Sequence, residues 1–164
     1  MRCLALLLPA TFLLYYGCSK PKKTEPQLPP LTHTGANVVA FKANGKVCTA
    51  TSPNGSFNLF THPIYAVVYG DSNAVISASG YNPDFILTIG SKYRFVLGTY
   101  KIENTPYSQG ALFQNFGTDS THTGSITYTY YDRNIVAGTF AFDAVNANDS
   151  VVHITDGRFD IRMN

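Results

Sequence analysis

The sequence contains no tryptophan, and only 13% of its 164 residues are charged. It carries no phosphate-binding glycine loop, no heptad repeat and no basic amphipathic helix. Its acidic residues stand singly, which argues against the paired carboxylates of a glycosidase, and no Gly-x-Ser-x-Gly motif marks an esterase nucleophile. The histidines lack the spacing of metal ligands: they are His33, His62, His122 and His153. We therefore predict no catalytic residue, no cofactor and no metal site, and we interpret the protein as a non-enzyme.

The N-terminal residues have the pattern of a bacterial lipoprotein signal peptide. One cation at Arg2 precedes an uncharged stretch over residues 4–16. A helix that spans a bilayer needs about 20 apolar residues, so this shorter stretch has the length of a signal-peptide core. Gly17 then places a small side chain before Cys18, as cleavage ahead of a lipid-modified cysteine requires. We predict a signal peptide over residues 1–17 and lipidation of Cys18.

Two tyrosines, Tyr15 and Tyr16, depart from the usual lipoprotein pattern, which has a leucine and a small residue at these positions. The alternatives are an ordinary secretory signal cleaved elsewhere and an uncleaved anchor. If Cys18 is acylated, Cys3 leaves with the signal and Cys48 has no cysteine to pair with. We then expect no intramolecular disulfide, and acyl chains that hold the protein to the membrane permanently.

Residues 18–36 are predicted to form the acylated cysteine and a tether rich in proline and lysine. The tether holds four of the nine prolines and too few apolar side chains to offset the entropy of ordering, and at ~3.1 Å per residue it would extend to roughly 50 Å. Three lysines against one glutamate give it a net charge of +2, whereas eight Lys and Arg against nine Asp and Glu give residues 37–164 a net charge of −1. The positive net charge therefore lies in the tether and not in the folded domain, so we expect no nucleic-acid binding.

Residues 37–164 show alternation of apolar and polar side chains with a period of two, and little apolar spacing of three and four. Gly70, Gly80 and Gly90 occur at intervals of ten residues, each beside a turn-forming residue. This spacing predicts a single all-β domain, an antiparallel β-sandwich or flattened barrel built largely as a meander of about nine or ten short strands.

Two residue pairs have the composition of tight hairpin turns. Asn44-Gly45 suits a type I′ turn that places Phe41 opposite Cys48, and it predicts that Cys48 is a small buried side chain rather than a reactive thiol. Asp156-Gly157 is interpreted as a second tight turn of the same type.

The second turn would pair Ile154 with Phe159 and Val152 with Ile161 on the inner face. On the outer face it would place His153 opposite Asp160. A histidine beside a carboxylate is half of a hydrolytic triad, but no nucleophile accompanies it, so we interpret the couple as a solvated cross-strand pair.

The strand "GSITYTYYD" alternates strictly. It predicts a core-facing set, Ile126, Tyr128 and Tyr130, and an exposed set, Ser125, Thr127, Thr129 and Tyr131. Val136, Phe140 and Phe142 of the next strand would share one face, with Gly138 marking a bulge or a close approach of another backbone. Exposed threonine and tyrosine ladders also suit glycan binding, although a tryptophan platform is missing.

The stretches "GSITYTYYDRNIVAGTFAFDAVN" and "VVHITDGRFDIRMN" resemble the end of a family of small Bacteroidota lipoproteins whose domain has no assigned function. "LTHTGANVVAFKANGKV" and "VLGTYKIE" are similar to that family as well, so the resemblance covers nearly all of the mature domain. The matching positions are Gly124, Ile126, Tyr128, Asp132, Gly138, Thr139, Phe140, Phe142 and residues 155–160. The resemblance implies a β fold and an envelope location, and it carries over no catalytic residue.

Members of that group that reach the cell surface often have an acidic run after the acylated cysteine. Here "SKPKK" is basic, which favours the periplasmic face of the outer membrane over surface display. We expect a lipid-anchored protein that binds or scaffolds in the cell envelope, with an envelope protein or a glycan as partner. The alternatives are a glycan- or small-ligand-binding module and an envelope hydrolase built on His122 or His153.

Overall fold

The computed structural model describes residues 26–52, 64–70, 73–81, 84–92, 94–103 and 109–163. Within these ranges the chain forms eleven β-strands: β1 Val38–Ala43, β2 Lys46–Thr51, β3 Ile64–Tyr69, β4 Asn73–Tyr81, β5 Asp84–Ser91, β6 Gly98–Ile102, β7 Ala111–Phe113, β8 Phe116–Gly117, β9 Gly124–Tyr131, β10 Ile135–Val145 and β11 Val151–Arg162. The all-β prediction is confirmed. The predicted signal peptide and Cys18 lie outside the described residues, and no helix in the described part is long and apolar enough to cross a membrane.

The strands form one antiparallel sheet that is nearly closed and barrel-like. Its order is β2-β1-β11-β10-β8-β7-β5-β4-β3, and β9 pairs with β10 and β6. Most neighbours are consecutive in the chain, as the predicted meander requires. The pairing of β1 with β11 brings the two ends of the domain together, which positions the candidate site described below.

Phenylalanine rings fill the interior of the sheet. The ring of Phe41 lies 5.0 Å from Phe85, 5.6 Å from Phe113 and 5.9 Å from Phe140, measured between centroids. The pairs of Phe41 with Phe85 and Phe113 are edge-to-face, and such packing adds about 0.5–1.5 kcal/mol per pair beyond the burial of apolar area. Because side chains occupy the middle of the fold, its outer surface is the part available for a functional site.

The Asn44-Gly45 hairpin has the predicted geometry. Both residues have positive φ, 47° and 81°, and Phe41 pairs with Cys48. The Cys48 side chain is buried, and this burial raises the pKa of its thiol, as expected of a structural rather than a reactive cysteine.

The Asp156-Gly157 prediction is wrong: these residues form a bulge inside the continuous strand β11. Asp156 has a φ of 54°, and the registers with β1 and with β10 both shift at this point. Ile154 and Phe159 are both buried, but they follow one another along a single strand instead of pairing across a turn. An Asp-Gly pair suits a left-handed bulge as well as a type I′ turn, and here β11 has a partner strand on each side.

A second bulge changes the prediction for the tyrosines of β9. Tyr128 pairs with Gly138 and Tyr130 pairs with Ala137, so Thr129 is an extra residue in β9. Tyr128 is buried as predicted, whereas Tyr130 lies half-buried on the outer face instead of in the core. Gly138 meets the prediction of a bulge and a close backbone approach, because a Cβ there would collide with the carbonyl oxygen of Thr127.

Gly70 follows β3 at a turn, but Gly80 and Gly90 lie inside β4 and β5 rather than between strands. The ten-residue spacing therefore identified the fold class without locating the turns.

Candidate functional site

A segment predicted to be free tether is fixed to the outer face of the fold. We call residues 29–36 the strap. Its main attachment point is Asp160 of β11, whose side chain is only 1% exposed. The Oδ2 atom of Asp160 accepts hydrogen bonds from the Thr32 hydroxyl at 2.6 Å and from the Thr34 backbone N–H at 2.9 Å, and its Oδ1 accepts one from the Gly35 N–H at 2.7 Å. Residues 29–36 are therefore held on the fold and do not form the free segment predicted for them.

These hydrogen bonds determine the charge state of Asp160. Burial alone would raise the pKa of this carboxyl. Hydrogen bonds from the Thr32 hydroxyl and from the backbone N–H groups of Thr34, Gly35 and Ala36 outweigh the burial and hold the pKa below its usual range. Asp160 is thus a buried carboxylate whose charge the strap stabilises.

Three outer-face positions on adjacent strands form the surface beneath the strap. Ala137 of β10 pairs with Asp160 of β11 on one side and with Tyr130 of β9 on the other. Its side chain is fully buried although it points away from the core. A methyl group at this central position leaves room for the strap to approach the sheet.

The strap also reaches β9 through His33. The imidazole ring stacks on Tyr130 with 5.3 Å between centroids and 10° between planes. Its Nε2 lies 3.2 Å from the hydroxyl oxygen of Thr129, the extra residue of the bulge. The bulge that turns Tyr130 outward therefore creates the surface on which His33 packs.

Two further contacts extend the attachment in both directions. The Arg158 guanidinium donates a 2.9 Å hydrogen bond to the Pro29 carbonyl oxygen at the start of the strap. Beyond the strap, the side-chain oxygen of buried Asn37 accepts a 2.8 Å hydrogen bond from the Arg162 backbone N–H. Strand β11 thus contacts the N-terminal segment from Pro29 to Asn37.

His153 and Asp160 do not form the predicted pair. They lie seven positions apart in one strand, about 23 Å at ~3.3 Å per residue. His153 instead places its Nδ1 2.7 Å from Oδ1 of Asp143 on β10. The side chain of His153 is 62% exposed and that of Asp143 is 50% exposed. The interpretation as a solvated cross-strand pair holds for His153, with Asp143 as the partner.

His122, the other histidine on which the hydrolase alternative could be built, lies in a turn that Asp119 caps. Oδ1 of Asp119 accepts hydrogen bonds from the backbone N–H groups of Thr121 and His122, and these bonds hold the pKa of Asp119 well below its usual range. The hydroxyl of Thr121 and the carboxylate of Asp119 both lie near Nδ1 of His122. A catalytic triad needs its nucleophile and its carboxylate at opposite ring nitrogens, so this geometry gives the hydrolase alternative no support.

The described part of the chain brings no three His, Cys, Asp or Glu side chains close enough to hold a metal ion. On the outer face of β6 and β9 the hydroxyl oxygens of Thr99 and Thr127 lie 2.9 Å apart, but the bulge at Thr129 interrupts the exposed set that was predicted for β9. One face of the Tyr130 ring is already stacked against His33, so an additional ring of a sugar could not occupy it in this arrangement.

No protein-family model, no curated protein and no solved structure matches the chain. The resemblance to Bacteroidota lipoproteins stays a prediction, and the arrangement of the strap is the main guide to function.

Sequence reasoning missed the strap site, although two signals were available. Gly35 and Asn37 adopt positive φ angles of 69° and 52° in the stretch "THTGAN", where hydroxyl, glycine and amide side chains suit an ordered turn better than a free tether. Asp160 also stands between the apolar residues Phe159 and Ile161 of the C-terminal strand. Nothing in the sequence shows, however, that Asp160 is the residue that this stretch contacts.

Proposed function

We propose that the protein is a lipid-anchored component of the cell envelope whose β domain binds or scaffolds another molecule without catalysis. The observation that supports this proposal best is the attachment of the strap to β11 through Asp160. A segment that links the fold to an N-terminal anchor has a reason to be fixed in place, because a fixed segment sets the point on the domain at which the tether leaves it.

The strap shortens the reach of the domain. Eleven positions separate Cys18 from Pro29, and at ~3.1 Å per residue they span at most about 35 Å, compared with roughly 50 Å for a tether that continues to position 36. We propose an anchor in the outer membrane with the domain in the periplasm, since the residues after Cys18 are basic. A shorter tether with a fixed exit point suits a protein that presents a binding surface close to the membrane.

Affinity capture tests the role. The full-length protein would be purified in mild detergent from the envelope of cells that acylate it, and co-purifying proteins identified by mass spectrometry, with Cys18→Ser as the matched control. We expect one envelope protein to be enriched with the wild type and much less with Cys18→Ser. Capture of no specific protein, together with a reproducible rise in melting temperature on addition of a soluble glycan, would replace scaffolding with ligand binding.

A further inference from the structure

Two apolar side chains stand exposed in the turn that precedes β6. Val96 is 55% exposed and Leu97 is 59% exposed, and we call this pair the tip. Among the exposed large hydrophobic side chains in the part of the chain that the structure describes, only these two are consecutive. Single exposed apolar residues are common on protein surfaces, whereas adjoining ones more often mark a contact with a membrane or with another molecule.

The local backbone holds the tip outward. The Val96 N–H donates a 2.7 Å hydrogen bond to the Arg94 carbonyl oxygen, which closes a tight turn around Phe95. Phe95 is buried, with its ring 5.4 Å from that of Tyr128 and 5.8 Å from that of Tyr131. Because Phe95 fastens the turn to the core, the two residues after it are presented to solvent. Burial in the fold therefore does not explain why these two residues are apolar.

Positive charge flanks the tip. Lys92 and Arg94 precede it, and both are exposed. Residues 85–102 contain no acidic residue, and the third cation of this stretch is paired with Glu103. The turn at residues 132–134, which follows β9, adds one acidic and one basic residue, whose charges cancel. Apolar side chains beside cations are complementary to a lipid surface with anionic headgroups, where each cation contributes roughly fivefold in affinity.

The tip also lies near the strap. Gly98 of β6 pairs with Tyr128, so the residues before β6 adjoin the last residues of β9, 129–131. His33 of the strap stacks on the same end of β9. The strap begins at Pro29, four residues before His33 and at most about 14 Å from it along the chain. The tether therefore leaves the fold in the neighbourhood of the tip, and a membrane that holds the tether is within reach of it.

We propose that the tip, together with Lys92 and Arg94, contacts the surface of a membrane that contains anionic lipids. This contact holds the domain against the membrane to which the tether attaches it. A lipid surface fits the tip better than a protein does, because two apolar side chains fall far short of the ~800 Å² per partner of a standard protein interface. A weak contact is sufficient for a tethered domain, since the tether raises the effective concentration of the surface.

The absence of tryptophan from the chain allows a local probe of the tip. Leu97→Trp and the control Ile86→Trp each place one fluorophore at a similarly exposed apolar position, 59% and 57%, the control on β5. Both are made in the full-length chain with Cys18→Ser, so that acylation contributes nothing and the N-terminal apolar stretch is the same in each. Vesicles of phosphatidylcholine and phosphatidylglycerol should shift the emission of Leu97→Trp to shorter wavelength, and brominated lipids should quench it. Ile86→Trp should change little.

Two further variants separate the parts of the contact. Lys92→Gln, added to Leu97→Trp, should reduce the shift on anionic vesicles and make no difference on phosphatidylcholine alone, because it removes one cation. Val96→Trp repeats the measurement at the other residue of the tip and guards against misfolding of Leu97→Trp, with circular dichroism to confirm the fold.

Equal shifts in Leu97→Trp and Ile86→Trp, or no shift at either residue of the tip, would overturn the lipid contact. A shift that grows with protein concentration without vesicles would overturn it too, by assigning the tip to a second copy of the chain. The inference rests on the proposed anchoring only for the membrane that the tip meets. Because the probe reports lipid contact in Cys18→Ser, its failure is distinct from a failure of acylation at Cys18.

Discussion

The carboxylate of Asp160 accepts a 2.7 Å hydrogen bond from the backbone N–H of Gly35, although 125 positions separate the two residues in the chain. This contact joins the segment before the first strand to the last strand of the fold. It fixes the point at which a membrane tether would leave the domain.

Replacing Asp160 with asparagine should release the strap. The amide has one acceptor oxygen where the carboxylate has two, so its NH₂ group must face either the Thr34 N–H or the Gly35 N–H, and the hydrogen bond from that N–H is lost. We expect the free energy of unfolding to fall by about 1–3 kcal/mol and the amide protons of Thr34 and Gly35 to exchange faster. Denaturant unfolding and hydrogen exchange measure the two effects.

Asp143→Asn is the matched control, since Asp143 forms an exposed pair with His153. We expect a change within about 0.5 kcal/mol and unchanged exchange at Gly35. Equal effects of the two variants, or a fully protected strap in Asp160→Asn, would show that the carboxylate does not hold the strap.

Acid should release the strap of the wild-type protein. The pKa of Asp160 is lower in the folded state than its ordinary value near 3.9, so its contribution to stability is present above that pH and is lost as the pH falls through the folded-state pKa. The protection of the Gly35 amide, which is its exchange rate relative to the intrinsic rate at the same pH, should therefore fall as the pH drops below that ordinary value. Asp160→Asn should lack this pH dependence at the strap, and a strap equally protected at pH 2 and pH 6 would contradict the assignment.

Gly138→Ala should destabilise the fold. The new Cβ would collide with the carbonyl oxygen of Thr127 and lie 2.7 Å from Cζ of Phe159. We expect a loss of about 1–3 kcal/mol or more, because both neighbours are fixed in the sheet. Gly117→Ala is the control, since a Cβ there meets nothing within 4 Å. Thermal unfolding should rank Gly138→Ala far below Gly117→Ala, and similar melting temperatures would mean that the bulge is not tightly packed.

His153→Ala should leave the fold and any measured binding largely intact. The imidazole is exposed and contacts an exposed carboxylate, and pairs of this kind contribute roughly 0–1 kcal/mol. Loss of an activity in this variant, with unchanged unfolding, would revive the hydrolase alternative.

Alternation along the chain was sufficient to predict the all-β fold, because each strand places one face on the core. The Asn44-Gly45 hairpin was also predictable, since its turn and register depend on a few adjacent residues. The Asp156-Gly157 bulge was not, because the same local sequence fits a turn and only the strands on both sides distinguish the two.

The strap site could not be predicted from the sequence for a related reason. Thr32 and Asp160 meet only after β1 has paired with β11, and a contact across 128 positions leaves no local pattern. Tyr130 was assigned to the wrong face because a single extra residue, Thr129, reverses the alternation after it.

Fatty-acid labelling tests the central proposal, that this is a lipid-anchored protein, most directly. Cells that process bacterial lipoprotein signals would express the full-length wild type or Cys18→Ser in the presence of an alkyne fatty acid. We predict a labelled wild type in the membrane fraction and an unlabelled Cys18→Ser. Equal labelling of both proteins, or no labelling of a stably expressed wild type, would contradict the proposed anchor.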